Sequence, residues 1–504
     1  MKNVRNAAFT GVLCLLAACT YVPFDTPREP SKALSAAGTR NARAALDLAG
    51  PGPSSVAIAP LVDGNDALGA RLRMIAEAER SIDLKTFLIK PDIAGTLIWV
   101  ALYDAAERGV KVRLLFDDVF TTAKDDEIAT LDAHPNVEIR VFNPLSRNST
   151  LVGNFLLDFS RVNRRMHNKA MITDGLLAIV GGRNIADEYY QINASHEFAD
   201  FDLFVAGQPV AELSNAFDLY WNDQWSLPLS VFETGDETLL RDALAKFRNR
   251  SESEEAEIYR RAVNSTYLAA LREGRVPSFP GQAHVVVDQP GKLRNPPGKG
   301  PFEVGESLYQ TLGRARRDVL LITPYFVPEA YGSAFFRSLS ERGVRVRVMT
   351  NSLASTNHPY VHGGYAPYRA ELLDAGVELY EVRADATRLL AGLDAPLTMH
   401  TKLAIVDGLT VFVGSPNVDP RSIRQNSEIG MVIDSPELAR SIVADIAKVR
   451  ADVTFRVERT PDGGMRWYYE GQSGAQVFET EPGASMWRRI VARVTSWLPV
   501  EQQL

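Results

Sequence analysis

Two segments of this chain repeat one arrangement of histidine, lysine, aspartate and asparagine. His167-x-Lys169 is followed by Asp174 and by Gly181-Gly182-x-Asn184. His400-x-Lys402 is followed, at the same internal spacings, by Asp407 and by Gly414-Ser415-x-Asn417. Other landmarks recur in the same order. The run from Glu107 to Arg113 (ERGVKVR) returns as Glu341 to Arg347 (ERGVRVR), Ala78-x-Arg80 as Ala315-x-Arg317, and Asn136-Val137-Glu138-Ile139 as Gly376-Val377-Glu378-Leu379. Landmarks in one order at near-constant offset identify a duplicated domain, and the period is far longer than that of a solenoid. The chain must therefore build one fold twice, with equivalent residues in equivalent places.

Each copy has α/β grammar. The apolar runs 82–88 and 319–326 read as strands, 96–107 and 332–341 as helices, and 110–116 and 344–349 as the next strands. Strand, helix, strand implies a parallel crossover and a sheet covered on both faces. The expected architecture is two duplicated α/β/α sandwich domains, at 55–235 and 276–452, packed together with the active site between them. A charged helical connector is expected at 236–275, and strands with an amphipathic helix at 453–504.

The motif residues suit phosphodiester chemistry. Residues two apart on a strand point the same way, so each His and Lys present a base and a cation to one place. A turn at Asp174 or Asp407 and a second strand ending at the glycines bring Asn184 or Asn417 back beside them. The lysines and asparagines donate to phosphate oxygens. One imidazole attacks phosphorus, and the other protonates the leaving alcohol and deprotonates the incoming one. Within the catalytic motifs, Asp174 and Asp407 are expected to orient the turns. The scheme needs no metal and no cofactor, and no cluster of carboxylates stands at ligand spacing.

A carboxylate precedes a strand after each motif and is placed to hold the nearby imidazole: Glu428 in the second copy, and Asp200, with Asp202 as the alternative, in the first. Arg161, Arg164 and Arg165 lead into the first motif. They either attract an anionic head group or form a solvated charged edge.

The N-terminus reads as a targeting segment. Lys2 and Arg5 precede an apolar stretch too short to span a bilayer. It ends in Leu16-Ala17-Ala18-Cys19, the pattern of a bacterial lipobox, so 1–18 is expected to be removed and Cys19 acylated. Cys14 and Cys19 are the only cysteines, which leaves the mature chain without a disulfide. Thr20, not Asp, follows the cysteine, which points to the periplasmic face of the outer membrane. Residues 19–54, rich in Pro, Ala, Ser and Gly, are expected to be a lipidated tether.

The paired motifs resemble those of the phospholipase D superfamily. Further segments are similar to its bacterial cardiolipin synthase C branch: Val141-Phe142-Asn143-Pro144, Asp187-Glu188-Tyr189-Tyr190, Tyr220-Trp221-Asn222, His362-Gly363-Gly364-Tyr365 with Tyr368-Arg369, and Ser496-Trp497-Leu498-Pro499. The resemblance implies transfer of a phosphatidyl group to phosphatidylglycerol, with phosphatidylethanolamine or phosphatidylglycerol as donor. It also implies that His167 is the nucleophile and His400 the acid and base. His362, Tyr365 and Tyr368 are expected to line the cleft, with core or rim packing as the alternative for the two tyrosines. Hydrolysis by water and an exported nuclease are the alternatives. A net charge of −7 speaks against nucleic acid as partner.

Trp487, Ile490, Val491, Val494, Trp497 and Leu498 fall on one helical face, with Arg488, Arg489 and Arg493 on others. That pattern fits a helix lying in a membrane surface or one packed on the protein.

Overall fold

Strands of the first half run β1 (Val56–Leu61), β2 (Ser81–Thr86), β3 (Lys111–Asp117), β4 (Val137–Phe142), β5 (Ala170–Thr173), β6 (Leu177–Gly181), β7 (Glu197–Ala199), β8 (Asp202–Gly207) and β9 (Ser226–Pro228). The second half continues with β10 (Gln282–Val287), β11 (Asp318–Ile322), β12 (Arg345–Asn351), β13 (Glu378–Val382), β14 (Leu397–Met399), β15 (Leu403–Val406), β16 (Thr410–Gly414), β17 (Ile429–Asp434), β18 (Thr454–Arg459), β19 (Met465–Tyr469) and β20 (Gln476–Phe478). The computed structural model describes residues 20–504 other than 35–37, 53–54, 120, 122–124, 193–195, 236–263, 297, 387–394, 473, 499–500 and 504.

The first sheet has the order β1-β8-β6-β5-β2-β3-β4-β9 and the second β10-β17-β16-β15-β11-β12-β13-β18-β19-β20. The first eight positions correspond strand by strand, so the duplication in sequence is a duplication in topology. The expected parallel crossovers are present: β2 pairs parallel with β3, and β11 with β12. Helices Ile93–Glu107 and Glu329–Glu341 make the connections. The motif strands β5 and β15 each run antiparallel to the next strand, β6 and β16. Each motif is thus a hairpin.

Helices cover both sheets. One core lies under helices Gly64–Glu77 and Ile93–Glu107 and includes Leu68, Ile75 and Leu97. Another backs the second sheet around Phe336, Leu339 and Leu372. The third is shared: Ile172, Val180 and Leu203 of the first sheet join Ile405, Val413 and Met431 of the second. Each fully buried aliphatic side chain contributes roughly 1.5–3 kcal/mol, so this layer fixes the two halves against each other.

Two expectations change. The described part of the segment read as a tether is docked on the first domain. Ser31 N donates to Asn222 Oδ1 (3.0 Å), Ala33 N to Asp218 Oδ2 (3.0 Å), and Phe24 stacks on Trp225. Helix Arg40–Ala49 follows, capped by Thr39. A composition rich in Pro and Ser disfavours regular structure but does not prevent an extended chain from bonding to a surface. Strands β18–β20 extend the second sheet through β13, so position 452 is not a domain boundary. Of the connector at 236–275, residues 236–263 lie outside the described residues, as do the signal peptide and Cys19. The remainder includes helix Tyr267–Arg272, whose Leu268 and Leu271 enter the first core.

Candidate active site

Two short main-chain contacts between the halves place the catalytic groups. β7 pairs in parallel with β14, Ala199 opposite Met399. His400 N then donates to Ala199 O (2.7 Å). The symmetric contact is the bridge of Met166 with Ser427, where His167 N donates to Ser427 O (2.8 Å). Each motif histidine is therefore tied to the residue just before a carboxylate of the other half.

The consequence is a crossed pairing. His167 Nδ1 lies 2.9 Å from Glu428 Oε2, and His400 Nδ1 lies 2.6 Å from Asp200 Oδ2. The sequence suggested that each carboxylate serves the imidazole of its own copy. The structure corrects this: the sheet edges of the two halves interleave, and the partner comes from across the interface. It also separates the two aspartates. Asp200 reaches His400, whereas Asp202 binds Arg71 (2.8 Å) and Arg183 (3.3 Å).

The Gly181-Gly182 pair gains a specific reason. A Cβ on Gly182 would stand 2.2 Å from Asp200 Oδ1, so only glycine leaves room for the carboxylate that holds His400. In the second copy Ser415 takes that place, and its Oγ donates to Glu428 Oε2 while accepting from Ile429 N (3.0 Å). The two halves support their carboxylates differently: one by clearance, the other by a hydrogen bond.

All six chemistry-bearing polar side chains of the hairpins, His167, Lys169, Asn184, His400, Lys402 and Asn417, are buried. Lys169 Nζ donates to His167 O (2.6 Å), and Lys402 Nζ lies 3.2 Å from His400 Nε2. Asn184 Nδ2 donates to Tyr189 Oη (2.8 Å). Asp174 and Asp407 do not join the cluster. Asp174 accepts from the main-chain N–H groups of Glu79, Arg80 and Ser81 and from Asn41, and Asp407 from those of Arg316, Arg317 and Asp318. Both have positive φ, +52° and +56°, at the hairpin turns. Their role is to pin the motif hairpins to the neighbouring strands, and their grouping with the catalytic residues is corrected accordingly.

Burial sets the electrostatics. It pulls His167 down to about 4 and His400 to about 3, with the nearby lysines adding to the effect and the paired carboxylates opposing it. Both rings are neutral at neutral pH, which a nucleophile requires. Burial lowers Lys402 to about 8 and Lys169 well below its usual range. Burial pushes Asp200 and Glu428 up, but the facing imidazoles and lysines overcome it and hold both carboxyls below their usual range.

His167, His400, Asn184 and Asn417 face one cleft of about 460 Å³. Its walls are largely aromatic. Phe87 meets His167 edge to face (4.9 Å), and Tyr189 and Phe198 flank His400 (5.3 Å each). Tyr325, His358, Tyr360 and Arg421 complete it. These were not singled out from the sequence. Only Tyr189 carried a signal, through the Asp187-Glu188-Tyr189-Tyr190 segment.

His362 lies away from the cleft, and Tyr365 and Tyr368 take the packing alternative. His362 Nε2 sits 2.6 Å from Arg369 Nη2, and Tyr365 Oη donates to Glu381 (3.2 Å), in a buried network completed by Glu481 and Trp467. Tyr368 Oη donates to Glu501 (2.6 Å). His358 is the residue before helix Pro359–Tyr365, whereas His362 and Tyr365 lie within that helix and are buried. Of the three arginines before the first motif, Arg165 alone reaches the cleft, bound to Asp117 (2.8 Å). Arg161 pairs with Asp158, and Arg164 binds main-chain oxygens of Leu293 and Asn295.

A family model described as "Cardiolipin synthase, PLD-like domain" matches residues 72–221 and again 308–450. Cardiolipin synthase C of Escherichia coli (strain K12) is 34% identical over 475 residues, 92% of this chain and 99% of that one. A cardiolipin synthase of Oceanobacillus iheyensis is 24% identical, over 75% of this chain and 65% of its own. Among solved structures, phosphatidylserine synthase of Haemophilus influenzae Rd KW20 superposes with a TM-score of 0.59 at 13% identity, covering 92% of this chain and 100% of that one. That last likeness is one of fold.

Proposed function

The chain belongs to the cardiolipin synthase family of phospholipase D-like proteins, and from that premise we propose that it moves a phosphatidyl group through a phosphohistidine to phosphatidylglycerol, making cardiolipin. One observation carries the chemistry: two imidazoles, each oriented by a carboxylate of the other half, face a single cleft. Their Nδ1 atoms are engaged, so Nε2 is the reactive nitrogen of each. His167 Nε2 attacks phosphorus, and the bond to the head-group alcohol breaks as His400 gives that oxygen a proton. The acceptor hydroxyl then attacks, the P–N bond breaks, and the hydroxyl proton passes to His400. The anionic diester itself raises the affinity of His400 for the proton that the first step needs. Lys169, Lys402, Asn184 and Asn417 face the non-bridging oxygens. A cleft of this volume suits head groups and diesters and leaves acyl chains outside.

Purified protein in mixed micelles of labelled phosphatidylglycerol and phosphatidylethanolamine, with a chelator present, is expected to form cardiolipin. Phosphatidic acid alone would replace this reading by hydrolysis, and cleavage of DNA without lipid turnover would replace both.

The surface supports a membrane as the place of work. Among the described residues no helix is long and apolar enough to cross a bilayer. Two helices instead carry apolar side chains outward beside the cleft. Helix Met486–Thr495 and the turn after it expose Trp487 (71%), Ile490, Val494, Trp497 (72%) and Leu498. Helix Leu151–Leu157 exposes Leu151, Val152 and Leu156 (78%), while its Phe155 lines the cleft. The terminal helix packs through Ala492 over Gly363. Arg488 and Arg489 were expected on a polar face, yet they fold back onto main-chain oxygens of Thr356 (2.6 Å) and Glu481 (2.8 Å). Apolar residues out and two of the three arginines in, with Arg493 exposed, is the reverse of a helix packed on a water-facing surface. The double variant Trp487→Ser, Trp497→Ser is expected to bind phosphatidylglycerol vesicles at least about tenfold more weakly, given roughly 1.5–3 kcal/mol for each large side chain taken out of water; unchanged cosedimentation would remove these helices from the membrane contact. With the Leu16-Ala17-Ala18-Cys19 pattern, the same reading makes the protein an exported lipoprotein on the periplasmic face of the outer membrane.

A further inference from the structure

Cardiolipin carries two phosphodiesters. A transferase that builds it must hold both at once: the phosphate under attack and the one already on the acceptor lipid. The first lies between His167 and His400. The second needs a cation in the same cleft, beyond the two motifs, whose charge is not already neutralised.

Two arginines line the cleft. Arg165 is neutralised, with Nε 2.8 Å from Asp117 Oδ1 and Nη2 on Asn143 O (2.6 Å). Arg421 is different. Its Nη2 donates to Asn163 Oδ1 (2.7 Å), Nη1 to Asn163 O (3.1 Å) and Nε to Gln503 O (3.2 Å). All three acceptors are uncharged, and no carboxylate among the described residues forms an ion pair with it. Its sequence neighbour Asp419 is buried and accepts from Ser422 N (2.7 Å); burial pushes its carboxyl up to about 7, so it offsets the guanidinium only in part. A guanidinium has five N–H donors, and three are engaged here. One N–H therefore remains on each terminal nitrogen to donate to a phosphate oxygen. Asn163 comes from the first domain and Gln503 from the C-terminal end, so the group is held rigidly from two sides. His358 and Tyr360, with rings 5.2 Å apart, stand on the same wall. Burial and the Arg421 charge keep His358 neutral, down to about 4, as a hydrogen-bonding partner for the same ligand.

We propose that Arg421, with His358 beside it, binds the phosphodiester of the acceptor phospholipid and so selects a phosphatidyl acceptor over water and simple alcohols. The inference rests on the transferase reading above. It gives the second displacement its specificity: the acceptor's free glycerol hydroxyl attacks the phosphohistidine, the P–N bond breaks as the P–O bond forms, and the hydroxyl proton goes to the second histidine.

A partition experiment isolates this step. The full chain is given acyl-labelled phosphatidylethanolamine as donor, in micelles that contain phosphatidylglycerol and butanol together. Both acceptors intercept the same phosphohistidine, so any change in its formation divides out of the ratio of cardiolipin to phosphatidylbutanol. Arg421→Gln is expected to lower that ratio at least about tenfold, and Arg421→Lys to restore part of it. An unchanged ratio in Arg421→Gln overturns the proposal. If that variant yields no phosphatidyl product at all, the unaltered protein decides. It is expected to prefer phosphatidylglycerol over monoacylglycerol, an uncharged lipid with the same glycerol hydroxyls, and equal use of the two overturns the proposal. A wild-type protein that makes phosphatidylbutanol and phosphatidic acid but no cardiolipin would instead overturn the reading of phosphatidylglycerol as acceptor, on which this proposal rests.

Discussion

His167→Ala lowers phosphatidyl transfer by at least about four orders of magnitude, and His400→Ala does so to a similar extent, because each histidine acts in both displacements and neither role can be met by the other ring. The variants differ in what accumulates. With donor lipid labelled at phosphorus, His400→Ala retains an acid-labile phosphoprotein signal and His167→Ala shows none. The reverse pattern exchanges the two roles, and label in both or neither removes the covalent histidine from the mechanism. Each substitution also leaves a buried carboxylate, Glu428 or Asp200, without its imidazole, which costs about 1–3 kcal/mol of stability. The activity loss far exceeds what that shift explains as long as assays run well below the thermal midpoint. The unaltered protein adds a pH signature. The imidazoles are depressed, so their neutral form is lost only as pH falls through about 4, and the Lys402 charge is lost as pH rises through about 8. Because the first displacement also needs a proton on His400, whose ring is depressed to about 3, the profile of kcat/KM, which reports the free enzyme, is expected to fall as pH rises above about 4 and more steeply above about 8; a flat profile from about 4 to about 8 would mean that His400 is not the proton donor.

The second large effect falls on the crossed carboxylates. Asp200→Asn and Glu428→Gln keep the shape of each side chain but remove the charge that fixes the ring and its tautomer. The corresponding change in a serine protease triad costs about 10⁴ in kcat, and a loss of about 10³–10⁴ is expected here. Gly182→Ala tests the same pair without touching a charged group. Its Cβ would meet Asp200 at 2.2 Å, so the carboxylate must swing away from His400 and turnover falls with Asp200 itself intact. Combining Gly182→Ala with Asp200→Asn is expected to cost little more than either alone, because both act through one contact. Full additivity would show that Gly182 matters for another reason. Because the pairs cross the interface, neither half expressed alone carries a histidine with its carboxylate.

Much of the fold was legible because duplication doubles every signal. Runs 82–88 and 319–326 each look ambiguous alone, but recurring with the same helix and strand behind them they specify βαβ units. The motif hairpins were legible for the same reason, since spacing along a strand fixes which side chains share a side. The docked segment at 20–34 was not, because its contacts with Asn222 and Asp218 are between residues far apart in the chain. Nor were the cleft walls. Phe87, Phe198, Tyr325 and Tyr360 are ordinary aromatic residues in ordinary strands, turns and helices, and only the packing of two sheets turns them toward one space. His362 and Tyr365 drew attention by motif, yet they sit in a buried ion-pair network completed by Glu481 and Trp467 from far along the chain.

What the sequence determined alone was the reaction type and its equipment: two copies of a base, a cation and an amide on equivalent hairpins. Those are local properties, set by residue identity and the two-residue repeat of a strand. What the tertiary structure decided was which carboxylate serves which histidine, which of Asp200 and Asp202 takes part, and which arginine keeps its charge for a ligand. Each of these depends on the register of one half against the other, through β7 with β14 and Met166 with Ser427, and that register comes from the apolar layer shared by the two sheets, not from any spacing along the chain.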